Sequence, residues 1–145
     1  MTVTPLARAV QTHKAIGHPA RLRILLMLRD GPLCGCQIGA VVKLAASTVS
    51  EHLSELKKAG LVVEKKDGRW VEYRLVDGTA NRALLDAIAE SSARDATVRA
   101  DAVLIKSIRR VPLEELCGVG LDLTRLDQPA VAIAIEKAEK LLSAG

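Results

Sequence analysis

The chain has 145 residues, 49% of them apolar and 26% charged, with a formal net charge of +4. That length allows one domain with a sizeable core, or a small domain plus an extension. Its apolar runs are far too short to span a bilayer, and its modest positive balance permits contact with a polyanion without requiring it.

Phe is absent, and Trp70 and Tyr73 are the only aromatic side chains of their kinds. The core must therefore come from Leu, Ile, Val and Ala, which suits packed helices. The opening "MTVTPLARAV" lacks the apolar stretch and cleavage pattern of a secretory leader, so a cytoplasmic location is expected. The three cysteines, Cys34, Cys36 and Cys117, are an odd number. In a reducing compartment that argues for free or metal-bound thiolates over a disulfide framework.

In chain order, "TPLARAVQTHKAI" predicts a first helix capped by Thr4, with Pro5 at its first position. "PARLRILLMLRD" predicts a second, with Leu22, Leu25, Leu26 and Leu28 on its apolar face and Gly31-Pro32 as the stop. "CQIGAVVKL" reads as a short helix. "STVSEHLSELKKAG" is the most sharply defined. Ser47 is its expected N-cap, Val49, Leu53 and Leu56 form its inward stripe, Lys57 and Lys58 suit its C-terminal dipole, and Gly60 closes it. "LVVEKK" and "RWVEYRLV" read as strands joined at Asp67-Gly68, a strong hairpin signal. One long helix is expected over "TANRALLDAIAESSARDATVRADAVLIKSI", then a broken stretch, then an amphipathic helix beginning at Pro129.

A short helix, a turn and a second helix followed by a basic hairpin make a winged helix-turn-helix. The expected fold is mainly α with a small β-hairpin, dimeric, with a C-terminal helical extension. Residues 1–100 are expected to form the DNA-binding and dimerisation domain, and residues 101–145 the extension.

Three linked segments carry a family resemblance: "HPARLRILLMLRDG", "STVSEHLSELKKAGLV" and "GRWVEYRL". Over roughly residues 10–95 they resemble the ArsR/SmtB winged-helix metal- and metalloid-sensing repressors. The resemblance implies a homodimer joined by the first and fifth helices. It also implies repression by occupying a twofold-related double-stranded operator until an inducer binds, with no enzymatic or membrane role. Arsenic-responsive members carry a motif of the form ELCVCDL before the recognition helix. Here "PLCGCQI" keeps both thiols and departs at Pro32, Gly35 and Gln37. The implied inducer is As(III) or Sb(III), bound by the thiolates of Cys34 and Cys36. The chain beyond about residue 100 has no counterpart in that resemblance.

The chemistry is consistent with this. Trivalent arsenic and antimony are soft and favour three sulfurs in a pyramid. Residues two apart on a helix diverge by about 200°, whereas on an extended stretch they share a face. "LCGC" therefore chelates most easily when it is not fully helical, which Pro32 and Gly35 favour. Cys117, in "LEELCGVG", is the candidate third sulfur, from the same or the partner subunit; its plainer role is a packed side chain. No His lies on the long helix after the hairpin, so the zinc site some family members carry there is not expected. His13 and His18 are expected to be structural.

Ser47, Thr48, Ser50, Glu51 and His52 are the candidate base- and backbone-reading residues of the recognition helix. Lys65, Lys66 and Arg69 at the hairpin tip are candidate phosphate contacts. Trp70 and Tyr73 are expected to pack the wing. Arg21 and Arg23 fit either phosphate contact or a solvated helix face. Two other readings stay open: a cadmium- or lead-responsive repressor of the same family, and a repressor switched by thiol oxidation. The first is weakened because no Cys precedes position 34, the second because a disulfide between residues two apart is strained. No nucleophile–base pair or phosphate-cradling loop points to an enzyme.

Overall fold

The computed structural model describes residues 3–145. Eight α-helices and three short strands follow in the order α1 (Pro5–Ile16), α2 (Pro19–Leu28), β1 (Leu33–Cys34), α3 (Gly35–Val42), α4 (Ala46–Lys58), β2 (Val62–Asp67), β3 (Trp70–Leu75), α5 (Thr79–Ser91), α6 (Ala96–Ile108), α7 (Leu113–Gly118) and α8 (Pro129–Ala144). A single 3-10 turn, Leu123–Arg125, precedes α8. The expected winged helix-turn-helix is present: α3 and α4 are joined by a short turn and followed by the β2–β3 hairpin.

Local signals account for most boundaries. The Thr4 hydroxyl accepts the Ala7 N–H at 3.1 Å, and Pro5 opens α1. The His18 ring accepts the Ala20 N–H at 3.1 Å and caps α2. Lys43 ends α3 in the left-handed region at φ 56°. Gly60, at φ 74°, closes α4, where the Leu61 N–H reaches the Leu56 carbonyl at 3.0 Å. Gly68 supplies the positive φ, 59°, that the hairpin turn requires.

Four sequence expectations need correction. The recognition helix starts two residues early: extended Ala45, not Ser47, is its N-cap, no side chain caps it, and Ser47 lies inside its first turn. The long helix after the wing is two helices. The Ser91 and Ser92 hydroxyls both donate to the Ile88 carbonyl, at 2.9 and 2.7 Å, and Asp95 accepts the Val98 N–H at 3.0 Å to begin α6. Such short polar side chains compete with the helical ladder and favour its ends. On α2 the buried face is Ile24, Leu25, Met27 and Leu28, with Leu22 and Leu26 half-buried. Finally, Leu33 and Cys34 form a third strand. It pairs antiparallel with β3, Leu33 opposite Tyr73 and Cys34 opposite Glu72, giving the order β1-β3-β2.

One core runs through the described chain. Leu25, Leu33, Ile38, Leu53, Leu56 and Leu61 of the first half are fully buried in the same cluster as Leu85, Ile108, Leu116 and Val131. The expected boundary between residues 100 and 101 falls within α6, which packs on α2, α3 and α8. Arg23 meets Asp101 of α6 through two bonds of 2.8 and 2.9 Å, with the carboxylate side chain only 7% exposed. Arg21 donates to the Ala15 and Lys14 carbonyls at the end of α1. Both arginines are thus engaged within the fold.

Candidate thiol site and nucleic-acid interface

The thiol region is built where β1 turns into α3. Cys34 is extended (φ −77°, ψ 155°), buried, and fixed from two sides. Its strand pairs with the wing, and its N–H donates to the Gln37 side-chain oxygen at 2.8 Å. Gln37 is one of the departures from the family motif, and here it caps the helix that carries the next thiol. The approach to β1 is held by Arg109 at the end of α6, which donates to the Pro32, Gly31 and Met27 carbonyls at 2.7, 3.0 and 3.3 Å. Only a basic residue at a helix end marks this contact in the sequence.

Cys36 lies one residue into the first turn of α3 and is half-buried. Cys117, on α7 of the same chain, places its thiol 3.3 Å from the Cys36 sulfur. All three cysteines are free. Burial, then the hydrogen bond from Cys117, pushes the Cys36 thiol up to about 11. Burial, then the charges of Glu72 and Asp67, raises Cys34 as well. Both thiols are therefore protonated at neutral pH. Among the described residues, no three or more His, Cys, Asp or Glu side chains stand where they could jointly hold a metal ion. The arrangement is a close sulfur pair, Cys36 and Cys117, with Cys34 nearby on the strand.

Two sulfurs bonded to one atom at about 2.3 Å, a typical zinc–sulfur length, lie about 3.3 Å apart when the bonds meet near a right angle, and about 3.8 Å apart at a tetrahedral angle. Trivalent arsenic and antimony carry a lone pair and bond near right angles. The 3.3 Å spacing of Cys36 and Cys117 is that of two sulfurs on one such atom.

A cleft of about 300 Å³ opens beside Cys34 and Cys36. Its other walls are Val49, Ser50 and Leu53 of α4, Arg69 to Val71 and Tyr73 of the wing, and Leu121. A second cavity, about 640 Å³, lies between the α3–α4 turn, α6 and α8, and has no cysteine in its lining.

The candidate DNA-reading residues occupy the outer side of α4. Ser47, Ser50 and Glu51 are exposed, whereas Thr48 and His52 are half-buried. The His52 ring sits 4.5 Å from the His18 ring, and burial with the neighbouring His18 and Arg21 lowers its pKa. Lys65 and Lys66 project from the wing. Arg69 is exposed but engaged: it lies 5.2 Å above the Trp70 ring and meets Glu114 of α7 at 3.3 Å. That last pair joins the wing tip to the helix that carries Cys117. Trp70 and Tyr73 pack as wing residues, with the cleft as the space they border. No helix among the described residues is long and apolar enough to cross a membrane.

The model of the family described as "Bacterial regulatory protein, arsR family" matches residues 18–64. The chain is 44% identical over 71 residues to the uncharacterized HTH-type transcriptional regulator MJ1325 of Methanocaldococcus jannaschii, covering 48% of this chain and 80% of that one. It is 36% identical over 63 residues to the arsenic resistance transcriptional regulator ArsR1 of Pseudomonas putida (43% and 49%). It is 45% identical over 71 residues to the HTH-type transcriptional regulator CmtR of Mycobacterium tuberculosis (49% and 60%). The chain thus spans between half and four-fifths of the length of these relatives. Among solved structures, HlyU from Vibrio cholerae matches with TM-score 0.59 and 30% identity, over 63% of this chain and 99% of that one.

Proposed function

The chain belongs to the arsR family of bacterial regulatory proteins, and from that premise we propose that it is a transcriptional repressor released from its operator by As(III) or Sb(III) at the Cys36–Cys117 pair. The observation that carries this reading is the 3.3 Å approach of two free thiols, 81 residues apart in sequence. One lies on the helix before the recognition helix, the other on a helix tied to the wing. Cys34 is the third sulfur once its strand shifts.

The raised pKa of Cys36 favours a metalloid over a divalent cation. Arsenous acid condenses with thiols: each As–O bond exchanged for As–S releases one water and no net proton. Cadmium or lead must displace the thiol protons, and the raised pKa of Cys36 opposes that.

In this mechanism α4 enters the major groove with Ser47, Thr48, Ser50, Glu51 and His52, and Lys65, Lys66 and Arg69 hold the backbone. Residues 1–100 carry operator binding, and residues 101–145 supply the second sulfur. An arsenic bridging Cys36 and Cys117 locks α3 to α7, and β1, which leads directly into α3, carries that constraint to the wing through its pairing with β3. A coupling of about 1–3 kcal/mol would weaken DNA binding about 5- to 150-fold. Two copies meet through α1, whose Leu6 and Val10 are 76% and 45% exposed, and a twofold dimer reads twofold-related half-sites.

The sulfur pair also favours a second reading. A peroxide could take two electrons and two protons from Cys36 and Cys117, leaving a disulfide and two waters. Burial raises the Cys36 pKa, which lowers its thiolate fraction and slows its attack on peroxide. This ranks below the metalloid reading.

The test uses a fluorescein-labelled duplex selected by the protein from random DNA. Arsenite is expected to release it, with a binding heat independent of buffer ionisation, whereas cadmium should bind more weakly and release protons. Release by cadmium at lower concentration than arsenite would reverse the assignment, and release by peroxide alone would favour the disulfide.

A further inference from the structure

The molecule has one Trp and one Tyr, and both line the cleft beside the thiols. Val49 and Leu53 of the recognition helix and Leu121 add apolar surface to the same lining. An inorganic hydroxide needs no such wall. The sulfur geometry has a matching feature: two thiols converge at 3.3 Å, and among the described residues no third ligand is assembled with them. Two sulfurs leave one valence of a trivalent arsenic free.

We infer that the preferred inducer is a trivalent organoarsenical with one apolar substituent, its arsenic bonded to Cys36 and Cys117 and its carbon group seated in the cleft between the recognition helix and the wing. This rests on the metalloid reading above and places a carbon substituent at the third position on arsenic, which in the arsenite complex falls to Cys34. The step balances without an oxidant. The R–As(OH)₂ molecule loses two As–O bonds and gains two As–S bonds. The thiol protons leave with the two hydroxides as water, and arsenic stays trivalent.

A phenyl ring fits a cleft of about 300 Å³, and burying it is worth roughly 10- to 100-fold in affinity. Position gives the substituent its effect. Val49 and Leu53 of α4 and Trp70 and Tyr73 of the wing share the lining, so a seated ring bears on the two elements that must grip DNA together.

The experiment titrates the full-length protein on its labelled duplex with arsenite, methylarsenous acid and phenylarsenous acid. Dithiothreitol serves as the reference dithiol for the intrinsic phenyl-to-methyl ratio. The expected result is a phenyl preference at least 10-fold above that reference, with quenching of Trp70 fluorescence. In Tyr73→Ala, and independently in Trp70→Leu, the preference falls toward the reference while methylarsenous acid still binds. A wild-type ratio equal to the reference overturns the inference, as does a preference unchanged in both variants; in either case release by arsenite leaves the metalloid reading standing. Failure of all three compounds to release DNA overturns both.

Discussion

The recognition helix and the helix that carries Cys117 are built on opposite terms. α4 is 13 residues long, with an apolar stripe of Val49, Leu53 and Leu56, two C-terminal lysines and a terminating glycine. Its local sequence specifies it almost completely. α7 is 6 residues long, held mainly by fully buried Leu116 and by contacts with α3. A helix that short has no stability of its own. A repressor can use this contrast: the surface that reads DNA must be rigid, whereas the element that takes up inducer must move when one bond forms.

The largest expected effect tests whether the second half is structural to the first. Ending the chain after residue 95 removes α6 and uncovers the α2 and α3 surfaces packed against it. The shortened protein should lose its cooperative thermal transition by circular dichroism. A sharp transition with DNA binding retained would make residues 96–145 a true appendage and break the contrast. A milder probe of the same joint is Asp101→Ala, which leaves half-buried Arg23 without its carboxylate. It should cost about 2 kcal/mol in urea unfolding, between the scales of exposed and buried ion pairs, and a loss below about 0.5 kcal/mol would show that the helices dock without it.

Next in size is the thiol pair. Cys36→Ser and Cys117→Ser should each keep operator affinity within about twofold and reduce arsenite-induced release at least about 10-fold, because hydroxyl is a poor ligand for a soft centre. Cys34→Ser, on the ladder outside the close pair, should lose less. Equal losses at all three, read by fluorescence anisotropy, would mean the strand sulfur is bonded as fully as the pair.

Smaller effects separate wing from helix. Lys66→Ala should reduce the salt dependence of DNA binding by about one unit of slope. Glu114→Ala frees Arg69 and should strengthen DNA binding by no more than about 1 kcal/mol, the scale of an exposed ion pair. Weakened binding would mean that Glu114 positions Arg69 for phosphate.

The smallest is a pH effect. The folded protein holds His52 below its ordinary pKa, so the unfolded chain takes up the proton first. The contribution of His52 is fully present above about pH 6.5 and is lost as pH falls through that value toward the lower folded pKa. His52→Gln should flatten that segment of the stability curve. An unchanged slope would assign it elsewhere.

The winged helix was legible because its cues are local. Thr4-Pro5, the α4 stripe, Gly60 and Asp67-Gly68 each act within a few residues, and the HPARLRIL, STVSEHL and GRWVEYRL segments fixed their order. The same locality explains the errors. Ser47 is a good cap, but the turn residues after Lys43 reach helical geometry two positions earlier, with Ala45 as the cap. "SSARD" carried its own stop, Ser91 and Ser92 on the Ile88 carbonyl and Asp95 on Val98, hidden within a continuous apolar rhythm. By itself the sequence determined which residues could be ligands, Cys34, Cys36 and Cys117, since only sulfur has that softness. Which of them meet was decided by tertiary structure alone. The Cys36–Cys117 contact spans 81 positions. It follows from packing α7 on α3, from Arg109 fixing the turn before β1, and from β1 joining the wing, none of which leaves a periodic trace in the chain.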